Sequence, residues 1–139
     1  MKTKTVIEKD HARDQAAAQL ESITEMVKNL KSADASQNGR QVETYEKAET
    51  AIQEDALSIE VRTGWYAPGE AMDAETAEFN ILLCTGGPAV RIIGTLAAAD
   101  PDTARLEYQD WGTPWTEYRL TSDEEETVLR YCRCFYFGE

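Results

Sequence analysis

Basic residues are scarce in this sequence. Lys and Arg number 14 against 26 Asp and Glu, which leaves a formal net charge of −12. Direct nucleic-acid binding needs a basic footprint to neutralise phosphates, so this balance speaks against it and suits a partner with a basic surface instead. Long apolar runs are also missing. Nothing approaches the roughly 20 apolar residues that cross a bilayer, and the start, MKTKTVIEKDHARD, is charged where a secretory leader would be apolar. A cytoplasmic chain without membrane contact is expected. Soft metal ligands are few: one histidine, His11, and three cysteines, Cys84, Cys132 and Cys134. A Cys-x-Cys step places its thiols on different sides of a helix, and structural zinc sites take four Cys/His ligands at regular spacings. No metal and no cofactor is expected, and the thiols read as reduced.

What is present is divided unevenly. All six lysines precede residue 57, whereas every aromatic except Tyr45, every proline and every cysteine follows it. Residues 1–56 hold eleven acids and eight bases; residues 57–139 hold fifteen acids and six bases, all Arg. Such a shift marks a structural boundary near Ala56, within a length that suits one domain or a domain with an appendage. In the first part Ala16, Leu20, Ile23, Val27 and Leu30 recur at alternating spacings of four and three, a coiled-coil seam. Asn38-Gly39 breaks the helix, and Val42, Tyr45, Ala48 and Ile52 carry a second apolar stripe to about Asp55. Residues 1–56 are therefore read as a helical hairpin, or as a stripe that forms a homodimer with a second copy.

The second part has strand periodicity. Leu57, Ile59, Val61, Thr63 and Trp65 alternate with polar residues, which predicts a strand with one buried face. EFNILLC (78–84) and AVRIIGTL (89–96) predict two apolar strands joined by TGGP, and ARLEYQ (104–109) and WTEYRL (115–120) predict two more. AAADPD reads as a turn. In SDEEETVLRYCRCF, Ser122 as N-cap with Glu125 three residues on predicts a capped helix, its stripe of Val128, Cys132 and Phe135 facing the sheet. The fold class expected is α+β: an N-terminal helical hairpin or coiled-coil segment (1–56), then a four- to five-stranded antiparallel sheet with a C-terminal covering helix (57–139).

No reaction centre stands out. CTGGP has adjacent glycines but neither the G-x-G-x-x-G nor the G-K-[ST] phosphate pattern, and reads as a turn. The carboxylates at 123–126 are accounted for by helix capping and the helix dipole. Nucleophilic chemistry at Cys84 would require His11 as its base, from the other end of the chain. The aromatic window YQDWGTPWTEY (108–118) holds Arg119 alone nearby against Asp110 and Glu117, so it lacks the cations that track a single strand. Its rings read mainly as packing, with a partner surface as the functional alternative. The candidate partner-binding residues are Trp65, Tyr66, Asp110, Trp111, Trp115 and Glu117.

At VRTGWYAPGE, FNILLCTGGPAVRI, LEYQDWGTPWTEY and the ending FYFGE, over about residues 55–139, the sequence resembles an uncharacterised family of small acidic proteins from tailed phages, prophages and integrated mobile elements. The resemblance implies a helical N-terminal part of variable length and carries no active-site residues with it. It also implies a context in which accessory proteins block host defence, as anti-CRISPR and anti-restriction proteins do. The expected function is a non-enzymatic acidic binding protein that occupies a basic surface of a host protein or ribonucleoprotein complex. The alternatives are a small-ligand binder or enzyme built on the Gly-Gly turn and Cys84, and a virion assembly factor.

Overall fold

The structure, a computed structural model, describes residues 11–34, 39–62, 68, 78–85, 87–110 and 113–137. Two helices come first: α1 (His11–Asp34) and α2 (Gly39–Asp55). The strands follow as β1 (Ser58–Arg62), β2 (Glu78–Cys84), β3 (Ala89–Ala97), β4 (Asp100–Pro101), β5 (Arg105–Gln109) and β6 (Thr116–Tyr118), and α3 (Ser122–Cys132) closes the order. The sheet runs β1-β2-β3-β5-β6, with β4 folded back on β3, and every pairing is antiparallel. The α+β class expected from the sequence is what the chain adopts. The strand count is five plus the two-residue β4, where AAADPD predicts only a turn.

Strand periodicity decides which face is covered. Phe79, Ile81 and Leu83 of β2, Val90, Ile92 and Leu96 of β3, and Leu106 of β5 are buried on one face. Against that face lie α1, whose Ala12, Ala16, Leu20, Ile23, Val27, Leu30 and Ala33 are all buried, and α3, whose Val128, Tyr131 and Cys132 are too. The seam read as a coiled coil is thus covered by the chain's own sheet, α2 and α3. One hydrophobic cluster contains residues of α1, α2, the sheet and α3. Polar cross-links tie the helices: Tyr131 Oη donates to Asp55 at 2.8 Å, Arg130 Nη2 to Tyr45 Oη at 2.7 Å, and Gln53 Nε2 to the Cys134 carbonyl at 2.8 Å.

Two expectations need correction. Leu57, Ile59 and Val61 were read as a buried face, yet they are 59, 36 and 51 % exposed. Ile59 and Val61 pair with Ile81 and Phe79, so they share the core face. β1 is the end strand and packs chiefly on β2, beyond the reach of the helical layer. The cap of α3 is displaced by one residue. Thr121, not Ser122, is the N-cap: its Oγ1 accepts from Glu124 N–H at 3.2 Å, and Glu124 Oε1 accepts from Thr121 N–H at 2.9 Å. Both registers satisfy the capping-box pattern, and this one turns Val128, Tyr131 and Cys132 inward.

Two tight spots shape the sheet's far end. Gly94 lies in β3 where a Cβ would stand 1.9 Å from the Thr103 carbonyl oxygen. Ala98 and Ala99 join β3 to β4 with φ of 52° and 68°, a left-handed pair in a two-residue hairpin turn.

Candidate functional site

The second face of the sheet carries side chains of alternating charge. The strand register brings Arg91 opposite Glu107, Ile93 opposite Arg105, Asn80 opposite Ile93, and Glu60 opposite Asn80. Glu107 Oε1 accepts from Arg91 Nε at 2.9 Å, and Oε2 accepts from Arg105 Nε at 3.0 Å. A third arginine, Arg62, donates through Nε to Glu78 Oε1 at 2.6 Å. Each of these guanidinium groups is therefore fixed at its inner nitrogen by a carboxylate. Among the described residues these are the ion pairs, and no carboxylate of α3 or β6 takes part in one.

Glu107 is the only buried charged or polar residue among those described. Burial on its own pushes its carboxyl up, but the hydrogen bonds and charges of Arg105 and Arg91 outweigh that and hold it below the usual carboxylate value. Arg91 is also covered by Trp115, with its Cζ 4.0 Å from the ring centroid, a cation–π stack. The three arginines do not form a basic track, because Glu78 and Glu107 pair with them and Glu60 and Glu117 share the face.

Between β1 and β5 this face holds a depression of about 430 Å³. Glu60, Arg62, Asn80, Arg91, Ile93 and Arg105 line it. Among its lining residues, Asn80 has a side-chain oxygen that is buried without a hydrogen-bond partner among the described residues. A second hollow beyond Arg105 is lined by Glu117 of β6 and Glu125 of α3.

No family model, curated protein or solved structure matches the chain.

Of the six partner-binding candidates, Trp65, Tyr66 and Trp111 lie outside the described residues. Asp110 follows β5 and is half-buried; its carbonyl accepts from Thr113 N–H at 3.1 Å and from Thr113 Oγ1 at 3.0 Å, and its N–H donates to Thr113 Oγ1 at 3.0 Å. Trp115 is half-buried on Arg91, and Glu117 is exposed on the same face, opposite Glu107. Tyr118 points to the other face, opposite Leu106, and lies under Arg13 of α1 at 5.4 Å. Within the described part of the window, Trp115 and Tyr118 are both engaged in packing.

The Cys84 alternative gains no geometric support. The Cys84 thiol donates to the Pro88 carbonyl at 3.9 Å, while His11 is exposed at the start of α1. Burial pushes the Cys84 thiol up, which is opposite to nucleophilic activation. The depression lies over Asn80 and Ile93, away from Cys84. Sequence reasoning missed Arg62, Arg91, Arg105 and Asn80, and weighed Glu107 only as a carboxylate to pair with Asp110 in acid/base work. The signal was there in part: Arg91, Arg105 and Glu107 occupy the alternate positions that face away from the core.

Proposed function

We propose that the chain is a non-enzymatic acidic binding protein of a phage or mobile element, which blocks a host defence complex by occupying a basic surface. One observation carries this reading: the distribution of unpaired carboxylates. The open-face arginines are each ion-paired within the fold, whereas Glu117, Asp123, Glu125 and Glu126 are exposed around the β6–α3 corner and form no ion pair among the described residues. Four exposed carboxylates against the single exposed Arg119 leave this corner net negative, and such a field speeds association with an opposite one and makes it dependent on salt. Nucleic-acid-handling complexes of the anti-CRISPR or anti-restriction target type present such basic grooves.

Binding to purified CRISPR effector and restriction complexes tests the proposal, measured at low and high salt. The expected result is tight association with one of them that weakens steeply as salt rises. A variant carrying Glu117→Gln, Asp123→Asn, Glu125→Gln and Glu126→Gln should bind about tenfold more weakly or worse and lose most of its salt dependence. Binding indifferent to both salt and substitution would overturn the acidic-surface reading.

A further inference from the structure

From the depression on the open face, we infer a binding site for a short zwitterionic peptide of about three residues. The inference is independent of the acidic corner. At about 430 Å³ the depression falls in the size range of small-molecule sites. Its charges are arranged in two poles. Toward β1 and β2 stand Glu60 and Glu78 against Arg62, a net −1; toward β3 and β5 stand Arg91 and Arg105 against Glu107, a net +1. Glu60 has no ion-pair partner among the described residues. Arg91 meets Glu107 through both Nε and Nη2, whereas Arg105 is held at Nε by Glu107 and its terminal nitrogens make no hydrogen bond among the described residues. A guanidinium fixed this way presents its fork to a carboxylate without first being ordered.

Distance selects the ligand. Neighbouring strands are about 4.8 Å apart, so Glu60 on β1 and Ile93 on β3, beside which Arg105 lines the depression, are separated by roughly 10 Å. A free amino acid holds its ammonium and carboxylate far closer than that. An extended chain advances about 3.3 Å per residue, so a tripeptide spans the gap. Its ammonium meets Glu60, and its carboxylate meets the open fork of Arg105 beside Ile93, within the field of Arg91. Asn80 stands beneath the centre, and its orphaned oxygen supplies the acceptor that a peptide N–H needs once the amide turns toward it.

The test is a titration of the ¹⁵N-labelled protein, followed by NMR, with Ala-Leu-Ala, its N-acetyl form, its C-terminal amide and free alanine. Ala-Leu-Ala is expected to shift the signals of Asn80, Ile93 and Arg105. Each capped form should bind about tenfold or more weakly, since each loses one charge-assisted contact, and free alanine should be weaker still. Arg105→Gln should weaken Ala-Leu-Ala to the level of the amide. Glu117→Gln, which removes a carboxylate from the far side of Arg105, should tighten it. Equal affinity for capped and free peptides, shifts confined to other surfaces, or no shift at millimolar peptide would each overturn the inference. The peptide series is read on the unaltered protein, so it does not depend on any variant's folding.

Discussion

Gly94→Ala sets two physical effects against each other. Strand propensity alone favours alanine, because glycine in a strand interior costs about 0.5–1 kcal/mol in lost backbone freedom. Sterics oppose it. The new methyl would lie 1.9 Å from the Thr103 carbonyl oxygen and 2.8 Å from Phe79 Cζ. Restoring ordinary contact requires the Thr103 carbonyl to retreat by roughly 1.5 Å. That segment is fastened: Thr95 N–H donates to Thr103 Oγ1 at 3.1 Å, the two threonine hydroxyls are 2.8 Å apart, and Asp102 N–H donates to the Thr95 carbonyl at 2.8 Å. Losing two of these bonds costs about 1 kcal/mol each, and overpacking adds about 1–3 kcal/mol. A net loss of about 3 kcal/mol is expected, which lowers the melting temperature by roughly 10 °C for a chain of this length. Urea unfolding followed by tryptophan fluorescence and by far-UV circular dichroism measures it, with coincident curves as the check on two-state behaviour. An alanine variant as stable as the parent, or more so, would refute the close approach.

Three further outcomes are expected. Replacing Ala98-Ala99 by Asn-Gly should raise stability by about 1–2 kcal/mol in the same unfolding assay, because both positions are left-handed and non-glycine residues pay for that conformation. The folded-state pKa of Glu107 is depressed, so its contribution is fully present above the unfolded value of 4.5 and is lost as pH falls through the folded value; thermal melts between pH 6 and 3 should show this acid limb, flatter in Glu107→Gln, whose midpoint should also be lower at neutral pH. Cys132 is fully buried and its thiol is raised by that burial, so a thiol reagent should modify it at the rate of unfolding, whereas half-buried Cys84 should react earlier yet more slowly than a free thiol; rapid labelling of Cys132 in native buffer would contradict its placement.

Much of the architecture can be read from residue patterns, and the lapses have distinct causes. The predicted spans of β2 and β3 agree with the fold because EFNILLC and AVRIIGTL are bounded by turn residues and keep an apolar residue at every second position. The seam of α1 was visible for a similar reason. Leu57, Ile59 and Val61 show the limit of that logic: alternation defines a face, but whether a helix covers it depends on how far the helical layer extends. Thr121 and Ser122 both precede a glutamate by three residues, and tertiary packing of Val128, Tyr131 and Cys132 selects between them. β4 was illegible because its turn is Ala-Ala, without the Asn-Gly signal of a left-handed hairpin. The open-face site was hidden for a different reason. Arg91 and Glu107 are sixteen positions apart and meet only through the β3–β5 register.

Because α1 shares its core with β5 and α3, this helix leaves the ribosome well before the elements that complete its core. The amphipathic face of α1 must wait for residues up to Cys132 to emerge. Closing so long a loop slows folding and leaves apolar surface open in the interval. Truncation before α3 would therefore yield a nascent species that chaperones hold, rather than a smaller folded protein.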